Sequence, residues 1–434
     1  MALFVYTCLY YLVLPIGFVF HLLFVWRRAE FRRGFWQRYG WLPQKQHQPV
    51  LVHAASVGEL NAIAPLIEAI VSQLKLPVLV TTTSVTAQER CQQLFTDHDR
   101  VSWCYLPIDL GVANWLMLRR VNPRAVLLVE TELWPNLIAT CAAKKTPIIL
   151  VNGRLSERSA KAYSRISWLV VPMLKNLTRL LVQDQAAAER FIDIGAQASK
   201  VSVLGSLKYD LAINDVSDLN ITAQAVPQGL CWVCGSTRSG EEASLLQAWA
   251  QLPQHIKGTL VLVPRHPQRF DEVADLCRQS GLPWLRYSQI NSQCEGISGA
   301  TIDAYNGHSR RVLLVDSMGL LMQFYRRADV VFVGGSLANT GGHNPLEAAA
   351  LGKPVLMGPN CFNFVQVCDS LEQVNGLRVT THAHLLTDIT QLLTDQPLRH
   401  SMGAAGAALV SAQKGAVQRH LVAITAVLEK ALDE

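Results

Sequence analysis

Charged residues are scarce in this chain of 434 residues: Asp, Glu, Lys and Arg make up only 17% of it, and none lies between Ala2 and Trp26. An uncharged run of this length can cross a bilayer, which takes about 20 apolar residues. No basic side chain precedes the run, which excludes the usual pattern of a cleaved signal peptide. We therefore predict a membrane anchor over residues 1–26. Pro15 and Gly17 leave open whether this helix spans the bilayer or is half-inserted.

Beyond the anchor, the sequence has little concentrated charge except in residues 27–48, where arginines are interleaved with aromatic residues. The arginines of this juxtamembrane segment are Arg27, Arg28, Arg32, Arg33 and Arg38. Their position predicts that the rest of the chain lies on the cytoplasmic side. Aromatic residues beside basic ones favour an anionic membrane surface as a partner. The remaining chain has no long basic stripe, so we expect no nucleic acid partner.

Repeats and cysteines limit the fold classes and the chemistry that the chain can have. No short tandem repeat is visible, which argues against a solenoid. The ten cysteines are scattered through apolar segments, as expected for reduced core residues. Cys231 and Cys234 form a CxxC pair within a predicted strand, where residues three apart point to opposite faces, so we interpret them as structural. Asp97 and Asp99 form a DxD pair without a nearby glycine loop, which indicates a solvated turn.

From Pro49 onward, short apolar runs alternate with amphipathic segments of helical length. Continuous apolar strands separated by helices are typical of parallel sheets that are covered on both faces. The alternation fades in a polar stretch and then restarts, which predicts two consecutive α/β domains. The predicted boundaries are residues 49–209 for the first Rossmann-like domain, 210–229 for a linker, 230–405 for the second Rossmann-like domain and 406–434 for a C-terminal helix.

Polar motifs follow several predicted strands of the first domain, where ligands bind in such sheets. Glu59 follows the first strand and begins a helix, so it either caps that helix or acts as a base. The helix dipole would keep it ionised in both cases. Glu130 ends another strand, and Glu132 is favoured near a helix start even without a function. The other candidates in this domain are Ser56, Gly58, Asn152, Arg154 and Lys208.

In the second domain, the strongest signal is the stretch "FVGGSLANTGGHNPLEAAALGKPVLMGP". Its glycine-rich loop ends at Asn344, a good N-cap residue, with Pro345 at the first helical position and Glu347 at the third. Exposed N–H groups and the helix dipole suit this terminus to a phosphate. Glu347 either accepts hydrogen bonds from ribose hydroxyls or serves only in a capping box. Further candidates at strand ends are Pro264, Arg265, Gly319 and Met318, the last being compatible with a core position as well.

These motifs together resemble the Kdo transferases of lipopolysaccharide synthesis, inner-membrane enzymes that move 3-deoxy-D-manno-octulosonic acid (Kdo) from CMP-Kdo to a lipid A precursor. The resemblance covers nearly the whole chain, and after the anchor its motifs occur in the order "HAASVGEL", "VETELWPN", "NGRLSERS", "GSLKYD", "GSTRSGEE", "VPRHPQRF", "DSMGLL" and "GGHNPLEAAALGKPV". It implies a GT-B glycosyltransferase fold, in which two Rossmann-like domains face an interdomain cleft. The acceptor would bind the first domain and the nucleotide the second.

The resemblance also implies an inverting transfer that needs no metal or other cofactor. Glu59 would be the general base, and Glu130 and Lys208 would stabilise the transition state, although either Glu130 or Glu132 could be the acid concerned. Leu320 stands where relatives often have an acid, so we expect only a backbone contact there. The implied nucleotide contacts are Pro264, Arg265, Met318, Gly319, Leu320, Asn344, Pro345, Leu346 and Glu347, and the acceptor-side candidates are Ser56, Gly58, Asn152 and Arg154.

The implied partners are CMP-Kdo, the lipid A precursor lipid IVA and an anionic membrane, at the cytoplasmic face of the bacterial inner membrane. Two alternatives stay open. The chain could be another GT-B transferase that uses a UDP-sugar and a lipid-linked acceptor. It could also be a nucleotide-sensing or scaffold protein that has kept the fold without catalysis, but such a protein would lack the base or the phosphate loop, and both are present here.

Overall fold

The computed structural model describes residues 2–27, 32, 34–42, 48–213, 229–291 and 305–433. The chain divides into two compact units, the first formed by Met1–Leu211 with Lys414–Glu434 and the second by Ala212–Gln413. Each unit contains a seven-stranded sheet. The prediction of two parallel α/β domains is therefore confirmed. Of the predicted linker, residues 214–228 lie outside the described residues.

The sheet of the first unit is parallel throughout, with the strand order β3-β2-β1-β4-β5-β6-β7. Its strands are β1 (Val50–His53), β2 (Val78–Thr82), β3 (Val101–Tyr105), β4 (Ala125–Val129), β5 (Ile148–Gly153), β6 (Arg179–Val182) and β7 (Val201–Val203). The strand order reverses direction between β1 and β4. Strands β2 and β3 are added on one side of β1, and strands β4 to β7 are added on the other side. Ligands of open α/β sheets bind at such a switch point, beyond the carboxyl ends of the strands.

Burial on both faces explains why these strands are continuous apolar runs. Leu51 and Val126 belong to one core cluster, whereas Val50, Val52 and Leu127 belong to another on the opposite face. The helices of this unit are Ala2–Arg27, Val57–Gln73, Val85–Phe95, Gly111–Val121, Pro135–Ala143, Glu157–Arg165, Ser167–Asn176, Gln185–Asp193 and Ala416–Asp433, with 3-10 turns at Trp36–Tyr39, Ala198–Lys200 and Leu207–Ile213.

The sheet of the second unit repeats the same plan, with the parallel order β10-β11-β9-β8-β12-β13-β14. Its strands are β8 (Leu230–Thr237), β9 (Gly258–Pro264), β10 (Trp284–Arg286), β11 (Arg310–Leu314), β12 (Val330–Val333), β13 (Val355–Met357) and β14 (Leu377–Val379). Its helices are Glu241–Gln251, Phe270–Gln279, Tyr287–Asn291, Leu321–Arg327, Leu346–Ala350, Val365–Gln373, Leu385–Thr394 and Gln396–Gln413, with a 3-10 turn at Pro267–Arg269. The switch point of this sheet lies between β8 and β12.

The end of the chain differs from the prediction of one helix over residues 406–434. Two helices are present, Gln396–Gln413 and Ala416–Asp433, and Gly415 between them has φ 81°. A residue in this left-handed conformation ends a helix, and glycine adopts it without steric cost. The last helix returns to the first unit, where its Leu421 and Ile424 join the core cluster that contains Ile63.

The N-terminal helix, Ala2–Arg27, covers the predicted membrane anchor. Its segment Leu3–Leu23 is long and apolar enough to cross a membrane, by length and composition alone. The same helix also bonds to the globular part of its unit, since Tyr6 donates a hydrogen bond to Asp109 (3.1 Å) and Thr7 donates one to Asn136 (2.9 Å). Two of the arginines expected to contact the membrane, Arg28 and Arg33, lie outside the described residues.

The motifs that we interpreted as structural are confirmed as such. Cys231 and Cys234 are buried within β8 as free thiols, and burial raises the pKa of Cys231 to about 12. Asp97 and Asp99 lie on an exposed turn after a helix. Neither pair supplies chemistry to the sites described below.

Candidate active site

Glu59 lies in the first turn of the helix that follows β1, at the switch point of the first sheet. Ser56 is the N-cap of this helix, and its hydroxyl accepts a hydrogen bond from the Glu59 backbone N–H (3.3 Å). In return the Glu59 carboxylate accepts hydrogen bonds from the Ser56 hydroxyl and from the Ala55 N–H, both at 2.8 Å. This arrangement resembles a capping box, except that the carboxylate binds the N–H of Ala55 rather than that of the N-cap residue Ser56. Ser56 and Gly58 thus both belong to the turn that holds the Glu59 carboxylate.

The electrostatic surroundings of Glu59 differ from our expectation that the helix dipole keeps it ionised. Burial raises the pKa of Glu59. The hydrogen bonds from Ser56 and Ala55 lower it, and the nearby carboxylates of Glu132 and Glu130 raise it further, so that the net pKa is above its ordinary value. A carboxylate with a raised pKa is a stronger base than an exposed one.

Glu130 and Lys208 form an ion pair, also beyond the carboxyl ends of the strands of this sheet. Lys208 Nζ lies 3.6 Å from Glu130 Oε1, and the side chains are only 15% and 17% exposed. Glu130 directly follows β4 with φ 56°, in the left-handed region that non-glycine residues rarely occupy. Backbone strain of this kind clusters at functional sites. The two residues implied to stabilise the transition state are therefore in contact.

Glu132 has partners of its own and does not cap the next helix. That helix begins at Pro135, and its N-cap residue Trp134 makes no capping hydrogen bond through its side chain. Instead the Trp134 indole N–H donates to Glu132 Oε2 at 2.9 Å. The imidazole of His53, at the end of β1, places Nε2 3.6 Å from the same oxygen. The alternative that Glu132 serves only as a helix-start acid is therefore not supported.

Asn152 was expected on the acceptor side, but the structure buries it completely. Its side-chain oxygen accepts a hydrogen bond from the Leu207 N–H (3.1 Å), and its own N–H donates to His420 Nε2 (3.2 Å). Asn152 therefore holds the segment that carries Lys208 and cannot itself face a substrate. Arg154, two residues further along, is half-buried after β5.

In the second unit, the glycine-rich loop after β12 surrounds a buried carboxylate. Glu241, which begins the helix after β8, is fully buried. Its carboxylate accepts hydrogen bonds of 2.8–3.2 Å from four successive loop N–H groups and one of 2.9 Å from the Arg238 N–H. The four loop donors are Gly335, Ser336, Leu337 and Ala338. These loop N–H groups are therefore occupied by the protein's own acid, and the expectation of a phosphate concerned the helix terminus after Asn344 instead.

Close packing explains why the loop begins with glycine. A Cβ on Gly334 would lie 2.6 Å from the Ser236 carbonyl oxygen and from the Thr237 Cα. Ser236 itself has φ 55°. The strand ends of β8 and β12 thus approach each other at a distance that only a residue without a side chain permits.

A cluster of basic side chains lies beside this loop. Arg238 Nε donates to His343 Nε2 at 3.2 Å, and the Arg238 guanidinium also contacts the His266 ring. Burial, together with the positive charges of Arg265 and Arg238, lowers the pKa of His343 to about 4. Burial and the proximity of Arg265 likewise lower the pKa of Arg238. Neighbouring guanidinium groups that disfavour each other's charge form a site suited to an anion such as a phosphate.

The predicted cap at Asn344 is shifted by one residue. The helix runs from Leu346 to Ala350, and Pro345 is its N-cap rather than its first residue. Asn344 still caps a backbone group, since its side-chain oxygen accepts from the Leu346 N–H (3.1 Å), and its amide donates to Glu347 Oε1 (3.4 Å). Burial raises the pKa of Glu347, which the Asn344 hydrogen bond and the charge of Arg265 partly offset.

The remaining nucleotide candidates lie at the carboxyl ends of β9 and β11. Pro264 ends β9 and is buried, and Arg265 after it is exposed. Met318 is 58% exposed, so the alternative of a core methionine is wrong. Gly319 has φ 84°, and Leu320 is the N-cap of the helix Leu321–Arg327. This turn presents a thioether and backbone groups rather than charge.

Four residues with evident roles were missing from the sequence-based site. Glu241 and Arg238 both lie in "GSTRSGEE" at a strand-to-helix turn, so the rule that found Glu59 could have found them. His53 and His343 became visible only through their contacts with Glu132 and Arg238.

Comparison with known proteins identifies the family. Residues 33–211 match the family described as "3-Deoxy-D-manno-octulosonic-acid transferase (kdotransferase)", and residues 303–408 match "Glycosyl transferases group 1". The 3-deoxy-D-manno-octulosonic acid transferase of Haemophilus influenzae is 33% identical over 440 residues, covering 98% of this chain and 99% of that protein. The enzyme of the same name from Bordetella pertussis is 35% identical over 420 residues, covering 93% and 95%.

A solved structure supports the fold. The UDP-GlcNAc 2-epimerase from Neisseria meningitidis bound to UDP-GlcNAc has a TM-score of 0.54 at 12% identity, covering 88% of this chain and 100% of that chain. This likeness concerns the fold alone and agrees with the GT-B class. The motifs, the two parallel sheets and the near-complete coverage of the two relatives lead to one conclusion: the chain belongs to the 3-deoxy-D-manno-octulosonic acid transferase family.

Proposed function

We propose that this Kdo transferase uses CMP-Kdo as donor and lipid IVA as acceptor, with inversion and without a metal ion, at the cytoplasmic face of the bacterial inner membrane. Membership of the family supports the transfer of Kdo in lipopolysaccharide synthesis. One observation carries the mechanism: Glu59 has a raised pKa and lies close to the Glu130–Lys208 ion pair.

Glu59 acts as the general base. A sugar hydroxyl is a poor nucleophile until a base takes its proton in the transition state. As the acceptor hydroxyl loses its proton to Glu59, its oxygen forms a bond to the anomeric carbon of Kdo on the face opposite the phosphate. The bond from that carbon to the CMP phosphate breaks, and CMP leaves with the electron pair. Lys208, held by Glu130, stabilises the charge that develops during this step.

The second unit binds the donor in this proposal. Arg265 contacts the phosphate, supported by the basic cluster with Arg238, and Glu347 accepts hydrogen bonds from the ribose hydroxyls. Fixed cations of this kind offset the charge of leaving CMP without a metal. The full set of proposed nucleotide contacts is Pro264, Arg265, Met318, Gly319, Leu320, Asn344, Pro345, Leu346 and Glu347.

The acceptor side and the membrane complete the proposal. Ser56, Gly58 and Arg154 surround the acceptor hydroxyl on the first unit. The helix segment Leu3–Leu23 anchors the chain to the bilayer in which a lipid-bearing acceptor resides. The arginines after this segment favour anionic headgroups.

The decisive experiment replaces the base by its isosteric amide. We expect Glu59→Gln to lower Kdo transfer by on the order of 10²–10⁴-fold, because proton transfer in the transition state is lost. Transfer is measured by mass spectrometry of lipid IVA incubated with CMP-Kdo, and CMP binding by thermal shift. CMP should stabilise the variant and the wild type equally.

Glu68→Gln is the matched control, because Glu68 is exposed on the same helix. It should transfer Kdo at the wild-type rate. Turnover by Glu59→Gln at the wild-type rate would exclude the base role. Stabilisation by UDP rather than CMP would instead favour the UDP-sugar transferase.

A further inference from the structure

His53 has a ring whose hydrogen positions are fixed by its neighbours. The residue is fully buried, and its Nδ1 lies 3.1 Å from both the carbonyl oxygen and the hydroxyl oxygen of Thr81. The Thr81 hydroxyl donates its hydrogen to the Val52 carbonyl (3.4 Å), so both Thr81 oxygens act as acceptors toward the ring. Nδ1 must therefore carry a hydrogen.

The other ring nitrogen faces a carboxylate. In a neutral imidazole with hydrogen on Nδ1, Nε2 bears a lone pair and no hydrogen. His53 Nε2 is buried without a hydrogen-bond partner, and Glu132 Oε2 lies 3.6 Å from it. A lone pair and a carboxylate oxygen repel each other at this distance. A proton between them turns the contact into an attraction.

Glu132 also acts on the proposed base. Burial is the main cause of the raised pKa of Glu59 and of Tyr163, and the charge of Glu132 raises both further. Glu130 is the other carboxylate that acts on Glu59, and Lys208 contacts Glu130 at 3.6 Å. Among the described residues, the ion pair that Glu132 makes is with His53, 3.6 Å away.

We propose that His53 holds a proton against Glu132 Oε2 and, as a positioning residue, keeps the neighbouring Glu59 in its ionised form. Glu132 and His53 then share one proton, and the pair presents less negative charge to Glu59 than a bare carboxylate would. The inference rests on the proposed function only in taking Glu59 as the general base. His53 is buried, so it contacts no substrate and acts through Glu132.

The first test is the pH profile of the transfer rate. In His53→Gln, Glu132 keeps its full charge, so Glu59 is protonated at higher pH. We expect the acid limb of kcat to move upward by about one pH unit, the scale on which a nearby like charge shifts a carboxylate. The double variant His53→Gln/Glu132→Gln removes that charge and should return the limb to the wild-type position or below. His98→Gln, at an exposed histidine of the same unit, should leave it unchanged.

A structural role for His53 would lower kcat without moving the limb. An unmoved limb in His53→Gln, or a shift that persists in the double variant, would therefore overturn the proposal. Retained turnover in Glu59→Gln would instead overturn the base role.

The second test needs neither a variant at His53 nor activity. Nitrogen-15 NMR of the full-length, histidine-labelled wild type should show both ring nitrogens of His53 protonated at neutral pH. Glu132→Gln should convert the same ring to the neutral form with hydrogen on Nδ1, and this response assigns the resonance. An unprotonated Nε2 in the wild type at neutral pH would overturn the proposal.

Discussion

At the scale of single residues, Glu59 forms a helix cap and also has the raised pKa that the proposed base role calls for. Its carboxylate caps a helix through Ser56, and it is half-buried close to two further glutamates. This cap could be predicted from the spacing of Ser56 and Glu59 because both partners lie in one turn. The raised pKa of Glu59 could not be predicted in this way, because the residues that bury it and the carboxylates near it come from distant parts of the chain.

A pH dependence follows from the same residue. A general base works only when ionised, and burial raises the pKa of Glu59 above that of an exposed glutamate. The rate should therefore be full above this raised pKa and fall as the pH drops through it. Measuring kcat between about pH 4.5 and 8 should show this acid limb. A rate that stays constant down to the lower end, with the fold intact by circular dichroism, would contradict the assignment.

Other contacts of the site residues could not be predicted from neighbouring residues in the sequence. Asn152 follows a strand, as a ligand-binding residue does, yet it is buried and bonded to Leu207 and His420. His420 comes from the last helix of the chain, so no local pattern could have revealed the contact. The pairing of His53 with Glu132 likewise joins the ends of two strands that are neighbours only in the folded sheet.

At the scale of elements, the positions of the loops were predictable and their internal bonding was not. Alternating apolar runs placed the glycine-rich loop after a strand, and β12 precedes it as expected. The acid that this loop surrounds, Glu241, belongs to the helix after β8 and not to the loop itself. The helix after the loop begins at Leu346, and the Asn344 side chain accepts a hydrogen bond from the N–H of that residue.

The loop supplies a test of stability. Glu241→Gln replaces one oxygen that accepts loop N–H groups by an amide that donates, so several hydrogen bonds to a buried charge are lost. We expect the free energy of unfolding to fall by about 2–3 kcal/mol and CMP affinity to fall with it. Urea denaturation and calorimetric titration with CMP would measure both. Glu372→Gln, at an exposed site of the same unit, is the control. Unchanged stability would show that the loop N–H groups do not depend on Glu241.

At the scale of the whole molecule, the resemblance to Kdo transferases is confirmed by two relatives that cover nearly the entire chain. Each sheet contributes its own polar cluster: carboxylates with Lys208 and His53 in the first unit, and guanidinium groups with histidines in the second. The side chains of each cluster lie at or after the carboxyl ends of strands in that sheet. The sequence located those ends but not the contacts among the side chains that they carry.

The proposed metal independence is tested on the complete enzyme. Burial and the charge of Arg265 lower the pKa of Arg238 in the second unit, and a bound anion would offset both effects. If these cations and Lys208 suffice to stabilise leaving CMP, Kdo transfer should proceed at the same rate in excess EDTA. Loss of activity that added magnesium restores would contradict this prediction. EDTA-treated enzyme assayed after removal of the chelator is the control.

The return of the last helix makes the first unit discontinuous, so the second unit is topologically an insertion within it. Cutting the chain after Leu211 would remove Leu421 and Ile424 from the cluster around Ile63 and would leave the N–H of Asn152 without its His420 acceptor. The first unit is therefore not a separable N-terminal fragment. To express it alone, one would have to join residue 211 to residue 414 through a short linker and excise everything between them.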